Sequence, residues 1–363
     1  MLKMKKWLFR VTVFLVAVSI LLVLSRSYLR SDKNRKIIDQ AIAKELNKSP
    51  DKLTRSDYLK VEHLELSNIV VTNLKQLAKL KNLQVLHINE MKRPQKEIYS
   101  FLPKRMISWF GKQLFKRGWI TDSRIDISAI GQLTNLRELE LSHQCYAEDL
   151  TPLSKLTNLT KLDLSTTSIS DIAPIANLTN LKTLDISNSQ VKNLKPISNL
   201  KNLEILKLRV TPIEDFQPLS NLNNLVELGL DDTKIKDLKP IENLTNLKKL
   251  NLYCSLITNI EPLEKLTNLQ WLSIQNTRVS DITPLANLRS IKELELSDTR
   301  VTDIRVLSRL ENLEVLGFSN TAVRNAEPLY NLTKLRSLKT GSLSSEQFRN
   351  LQKALPNLKI SRF

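Results

Sequence analysis

A curved, right-handed α/β solenoid with a parallel inner sheet and short turns on its outer side is the fold class this sequence predicts. Three observations predict it. Eight consecutive blocks of 22 residues begin at Leu159, Leu181, Leu203, Leu225, Leu247, Leu269, Ile291 and Leu313. Each follows one template, Leu-x-x-Leu-x-Leu-x-x-Thr-x-Ile-x-Asp-Ile-x-Pro-Leu-x-x-Leu-Thr-Asn, and a fixed period in this range means stacked units that cannot bury their apolar faces alone. Amphipathic segments at both ends have the composition needed to cover the terminal faces of such a stack. Earlier copies start at Val61, at Leu83 and at Leu136, and a partial one starts at Leu335.

The basic, apolar start of the chain comes first. Residues 11–24 are apolar apart from Thr12 and Ser19, and Lys3, Lys5 and Lys6 precede them. The segment reads as a signal peptide or a signal anchor. Five basic residues between Arg26 and Lys36 disfavour cleavage after it, so residues 1–30 are expected to hold an uncleaved single span. The expected topology is a short cytoplasmic N-terminus with the repeats outside the membrane, and the alternative is a secreted form after signal cleavage. Residues 31–60 follow as an N-terminal cap, in which Ile38, Ala41, Ile42 and Leu46 share one helical face.

Residues 61–340 hold about twelve repeats. In Leu162-Asp163-Leu164 apolar and polar residues alternate as in a short strand. Such strands pair side by side about 4.8 Å apart. The return half, as in Ile172-Ala173-Pro174-Ile175, suits a single 3₁₀ turn, with proline where its missing N–H is harmless. The hydroxyl residues Thr167, Ser189, Thr211, Thr233, Ser255, Thr277, Thr299 and Thr321 are expected to bond local backbone and to stack as a ladder through the core. Asp171, Asp215, Asp237, Asp281 and Asp303, with Asn at the other three equivalent positions, are expected to accept backbone N–H bonds at the next turn. These recurring polar residues are structural. Residues 341–363 form the C-terminal cap: Ser344 and Gln347 have capping-box spacing, Phe348, Leu351 and Leu355 follow at helical spacing, and Pro356 stops the helix. Leu358 and Ile360 are placed to add a last strand.

The runs LTNLTKLDLSTTSISDIAPIANLTN and LTNLQWLSIQNTRVSDITPLANL resemble bacterial leucine-rich repeats of the internalin-like, 22-residue type. The resemblance covers residues 31–363. It implies a non-enzymatic protein-recognition module that binds a protein ligand. Two departures stand out: a hydroxyl at the turn position, where internalins usually carry Asn, and a long insertion in the second copy. The same period also resembles that of phosphatase-regulator repeat proteins, which implies an intracellular regulatory scaffold as the alternative.

That insertion makes the copy from Leu83 53 residues long. Its extra segment, 91–124, is basic and aromatic, with Arg105, Trp109, Phe110, Lys116 and Trp119 as candidate membrane or partner contacts. It reads either as a helix packed on the convex surface or as an interfacial membrane helix with its cations near anionic headgroups.

Charge argues against nucleic acid as a partner. The net charge is +18, of which residues 1–36 supply +8 and residues 91–124 supply +7, leaving the solenoid close to neutral. Cys145 and Cys254 stand five strand spacings apart, about 24 Å, too far for a disulfide. His63, His87 and His143 occupy different offsets in three repeats, so no metal is expected, and no cofactor or catalytic motif is legible. The sequons at Asn158, Asn177 and Asn243 arise from the Leu-Thr-Asn joints and carry little weight.

Function is expected on the outward-facing strand positions of the concave wall. Most are Ser, Asp, Glu, Lys or Asn. Arg209, Asp231, Asp232, Tyr253 and Trp271 differ, and Trp, Tyr and Arg dominate binding hot spots. These five residues are the candidate partner-binding patch. The competing reading is a Trp lying over an adjacent rung without function.

Overall fold

The computed structural model describes residues 35–67, 74–89, 126–142 and 149–362. The expected span within residues 1–30, the insertion at 91–124 with its five candidate contacts, Cys145 and His143 lie outside the described residues. No helix among the described residues is long and apolar enough to cross a membrane.

Thirteen strands form one parallel sheet in strict chain order. They are β1 (His63–Ser67), β2 (Val85–Asn89), β3 (Glu138–Glu140), β4 (Lys161–Asp163), β5 (Thr183–Asp185), β6 (Ile205–Lys207), β7 (Glu227–Gly229), β8 (Lys249–Asn251), β9 (Trp271–Ser273), β10 (Glu293–Glu295), β11 (Val315–Gly317), β12 (Ser337–Lys339) and β13 (Lys359–Ser361). The period sets the register. The fourth residue of each block pairs with its counterpart, as in Leu162 with Leu184 and Leu206 with Leu228. Register survives the insertion too, since Val85 pairs with Glu138 and Leu86 with Leu139 across it.

The return halves are the 3₁₀ turns the sequence predicts. Ala173–Ile175, Lys239–Ile241 and Thr283–Asn287 each carry proline in the first two positions. Between sheet and turns runs one continuous core of stacked Leu and Ile, most of it fully buried. Asp171, Asp215, Asp237, Asp281 and Asp303, with Asn193, Asn259 and Asn325, each accept the N–H two residues on at 2.8–3.0 Å. This Asx turn starts the 3₁₀ segment.

The ladder takes a different form from the one expected. Thr167, Thr211, Thr233, Thr277, Thr299 and Thr321 do bond local backbone, each donating to the carbonyl three residues back at 2.5–2.7 Å, whereas Ser189 accepts the Val191 N–H at 3.4 Å and the buried Ser255 hydroxyl makes no such bond. Those bonds close each block's own turn and do not run between rungs. The links between rungs come from the asparagine that ends most blocks. Asn158 Nδ2 donates to the Thr134 carbonyl, Asn180 to Thr157 and Asn202 to Thr179, all at 2.9 Å. Asn135 bonds the Lys81 carbonyl in the same way across the insertion. At the ninth position the hydroxyl reaches only its own block's carbonyl, whereas the carboxamide at the twenty-second, one bond longer, reaches the neighbouring rung.

Both ends are covered. Residues 35–45 form helix α1, with Ile38 and Ile42 fully buried and Ala41 and Leu46 packed against the core. Behind α1, the buried carboxylate of Asp57 takes Lys48 Nζ at 2.7 Å, Thr54 N–H at 2.9 Å and Thr54 Oγ1 at 2.8 Å. At the other end helix α2 (Ser345–Ala354) buries Phe348 and Leu351. Ser344 accepts the Gln347 N–H as its spacing predicts, but Gln347 does not complete a capping box. Its Oε1 accepts the Ala326 N–H at 2.8 Å, which ties the cap to the last rung.

Candidate interaction face

In each block the third, fifth and seventh residues alternate with buried leucines, so their side chains stand on the inner face. Arg209, Asp231 and Tyr253 are seventh residues of successive blocks, and Asp232 is an eighth. Trp271 is a third residue, in register with Lys249 and Glu293. The five candidates therefore form a column of charges with a tyrosine, and a tryptophan at the opposite end of the strands. Both aromatics are half-buried.

The charged column is self-paired. Arg209 Nε lies 3.0 Å from Asp231 Oδ2 and 3.7 Å from Asp232 Oδ2. Burial pushes the Asp231 carboxyl above its usual range, while the Arg209 guanidinium opposes the rise. Residues after the seventh turn off the strand in the left-handed region: Thr166, Asn188, Val210, Asp232, Cys254, Asn276, Asp298 and Asn320 have φ between 51° and 58°. Asn and Asp adopt this conformation readily; Val and Thr do so at a cost. The Cys254 thiol is unpaired and accepts Asn276 Nδ2 at 3.0 Å.

A trough of about 460 Å³ crosses the inner face obliquely, from Ser165 and Thr166 after β4 to Trp271 on β9. Arg209, Asp231 and Trp271 line it, whereas Asp232 and Tyr253 do not. Asp185, Lys207, Glu227, Gly229 and Lys249, which sequence reasoning did not single out, line it too. Gly229 opens its floor. A β-carbon there would meet nothing nearer than Asp231 Oδ1 at 3.5 Å, while at Gly317, the same position two blocks short of the last strand, it would strike the Glu295 carboxylate. A glycine at a fifth position, in a chain with only six glycines, was the available signal.

Of the histidines, His63 is exposed and His87 Nδ1 lies 3.8 Å from Glu140 Oε2. No three metal-ligating side chains converge among the described residues.

The comparisons agree with this architecture. The family described as Leucine Rich repeats (2 copies) matches residues 179–221, 223–265 and 267–309. The crystal structure of an internalin, InlF of Listeria monocytogenes, is 28% identical, with a TM-score of 0.72 over 90% of this chain and 94% of that one. The array is an internalin-like leucine-rich repeat solenoid. A functional domain of InlJ from the same organism, which includes a cysteine ladder, shares the fold at 17% identity, with a TM-score of 0.64 over 89% of this chain and 67% of that one. This internalin-like chain has only two cysteines and builds its ladder from asparagines. A leucine-rich repeat protein of Leptospira interrogans shares the fold at 21% identity, with a TM-score of 0.54 over 85% of this chain and 97% of that one. No curated protein matches the sequence. An internalin-like fold points to protein–protein recognition.

Proposed function

We propose that this chain is a non-enzymatic recognition module that binds a protein ligand on its concave face and is tethered to a membrane by its N-terminal segment. One observation carries the binding reading. On an inner face built mostly from polar and charged side chains, Tyr253 and Trp271 are half-buried aromatics on neighbouring rungs, beside an open trough. Aromatic side chains lose little entropy on binding and dominate hot spots. The double substitution Tyr253→Ala/Trp271→Ala is expected to weaken capture of the partner by at least about 2 kcal/mol, roughly thirtyfold, with little change in thermal unfolding. Equal affinity in the wild type and the double variant moves the site elsewhere, with the basic segment at 91–124 next in line.

The tether rests on sequence. Residues 7–24 reach about 27 Å as a helix, close to the thickness of a hydrocarbon core. Alkaline carbonate is expected to leave the full-length chain with the membranes. Its release into the supernatant rules out a span.

A further inference from the structure

The two ends of the trough differ in chemistry. Asp163 and Asp185 stand side by side in register on β4 and β5, each with one carboxylate oxygen held by an N–H, from Ser165 and Ser187. Like charges on adjacent strands repel. Burial and the neighbouring Asp163 push the Asp185 carboxyl upward, and only Lys207 and its bonds to Ser187 act against that. Lys207, in register with Asp185 on β6, also lines this end, and its single positive charge leaves the two carboxylates with a net negative one. The middle of the trough is close to neutral, since Arg209 is already engaged by Asp231 and Asp232 and Lys249 stands 3.8 Å from Glu227. The far end is the indole of Trp271.

Five strand spacings separate β4 from β9, about 24 Å, which matches roughly seven residues of extended chain at about 3.3 Å each. We infer that the trough seats an extended segment of the protein partner, with a Lys or Arg at the Asp185 end and an apolar side chain some six residues away against Trp271. This deepens the concave-face reading and rests on it. The cation relieves the repulsion between Asp163 and Asp185. The segment's backbone passes low over Gly229, where no side chain blocks it.

Selection of a random nonapeptide phage library on the full-length protein tests the inference. Three proteins are compared: wild type, Asp163→Ser/Asp185→Ser and Gly229→Leu. Serine already occupies the fifth position at Ser273, and a β-carbon at Gly229 makes only ordinary contacts, so both variants should fold, as a thermal melt can verify. The wild type is expected to enrich peptides pairing Lys or Arg with an aromatic or aliphatic residue five to seven positions away. The serine variant should lower affinity for those peptides at least tenfold while sparing analogues whose cation is replaced by Gln. Gly229→Leu should abolish binding of both. No enrichment, enrichment without a basic preference, or binding that survives Gly229→Leu overturns the trough. If the Tyr253→Ala/Trp271→Ala variant loses the partner while Gly229→Leu keeps it, the concave-face reading stands without the trough.

Discussion

Val210 is the least comfortable residue of the array. Its φ of 51° lies in the left-handed region, and 41% of it is exposed. A branched β-carbon crowds the backbone there, at a cost of about 1–2 kcal/mol. In the blocks before and after it, Asn188 and Asp232 hold the same conformation with side chains suited to it. Val210→Asn is therefore expected to stabilise the protein by about 1 kcal/mol, read as a higher urea midpoint at unchanged slope. A lower midpoint means that the isopropyl group makes contacts worth more than the strain. The Trp271 and Tyr253 substitutions belong to the same scale. Each removes a ring from the surface and leaves the leucine ladder beneath intact, so affinity and stability should separate.

At the scale of the element, what recurs is the rung and its links. Besides the sheet, each rung is tied to the one before by an asparagine carboxamide, from Asn82, which bonds the Leu59 carbonyl at 2.8 Å, to Asn312, which bonds Arg289 at 2.9 Å. Two blocks end otherwise, the last full one in Lys334 and one inside the series in Ser290. Its hydroxyl is too short to reach the Thr267 carbonyl as the asparagines reach theirs. Ser290→Asn should complete the ladder and add about 1 kcal/mol, the usual net worth of one such bond. Asn180→Ala should cost a similar amount by leaving the Thr157 carbonyl without its partner. Denaturant unfolding of the two variants checks both signs. A neutral Ser290→Asn would mean that solvent already satisfies the carbonyl there.

Over the whole molecule, two classes of carboxylate respond to pH in opposite ways. Asp57 is held well below the usual carboxylate range by Lys48 first, then by the N–H and hydroxyl of Thr54. Asp149, Asp281 and Asp303 are lowered by bonds to Thr151, Thr283 and Arg305. A group lowered on folding adds stability above its unfolded pKa, about 3.9 for Asp, and loses it as pH falls through the folded value. Asp185 and Asp231 are raised, so the folded state takes up their protons first and gains stability as pH falls toward that range. Unfolding free energy is therefore expected to hold steady or rise slightly from neutrality to about pH 5 and to drop below about pH 4. Asp57→Asn should remove part of that drop and lower stability at neutral pH. A profile unchanged by this substitution would show that the buried cluster does not govern acid unfolding. Asp185→Asn should stabilise at neutral pH and have no effect in acid.

The period of 22 and the leucine offsets determined the sheet, its register, the 3₁₀ turns and the Asx turns at Asp171 and its equivalents, because each is a contact within one block or between identical neighbours. Both caps were legible for the same reason: Ile38 and Ile42, or Phe348 and Leu351, share a face at helical spacing. The ladder was only half legible. Its asparagines end most template copies, but whether Thr167 or Asn180 bridges two rungs depends on side-chain reach across the stack, which spacing does not measure. The interaction face was legible as residue types and not as a shape. Arg209, Asp231 and Trp271 line one trough, while Asp232 and Tyr253 fall outside it, because the trough crosses the strands obliquely, from the seventh position near β4 to the third at β9. The opening at Gly229 arises from the absence of a side chain and from where Asp231 and Lys207 turn around it. Such placement is decided only when thirteen strands stack and bring residues of six consecutive blocks onto one surface.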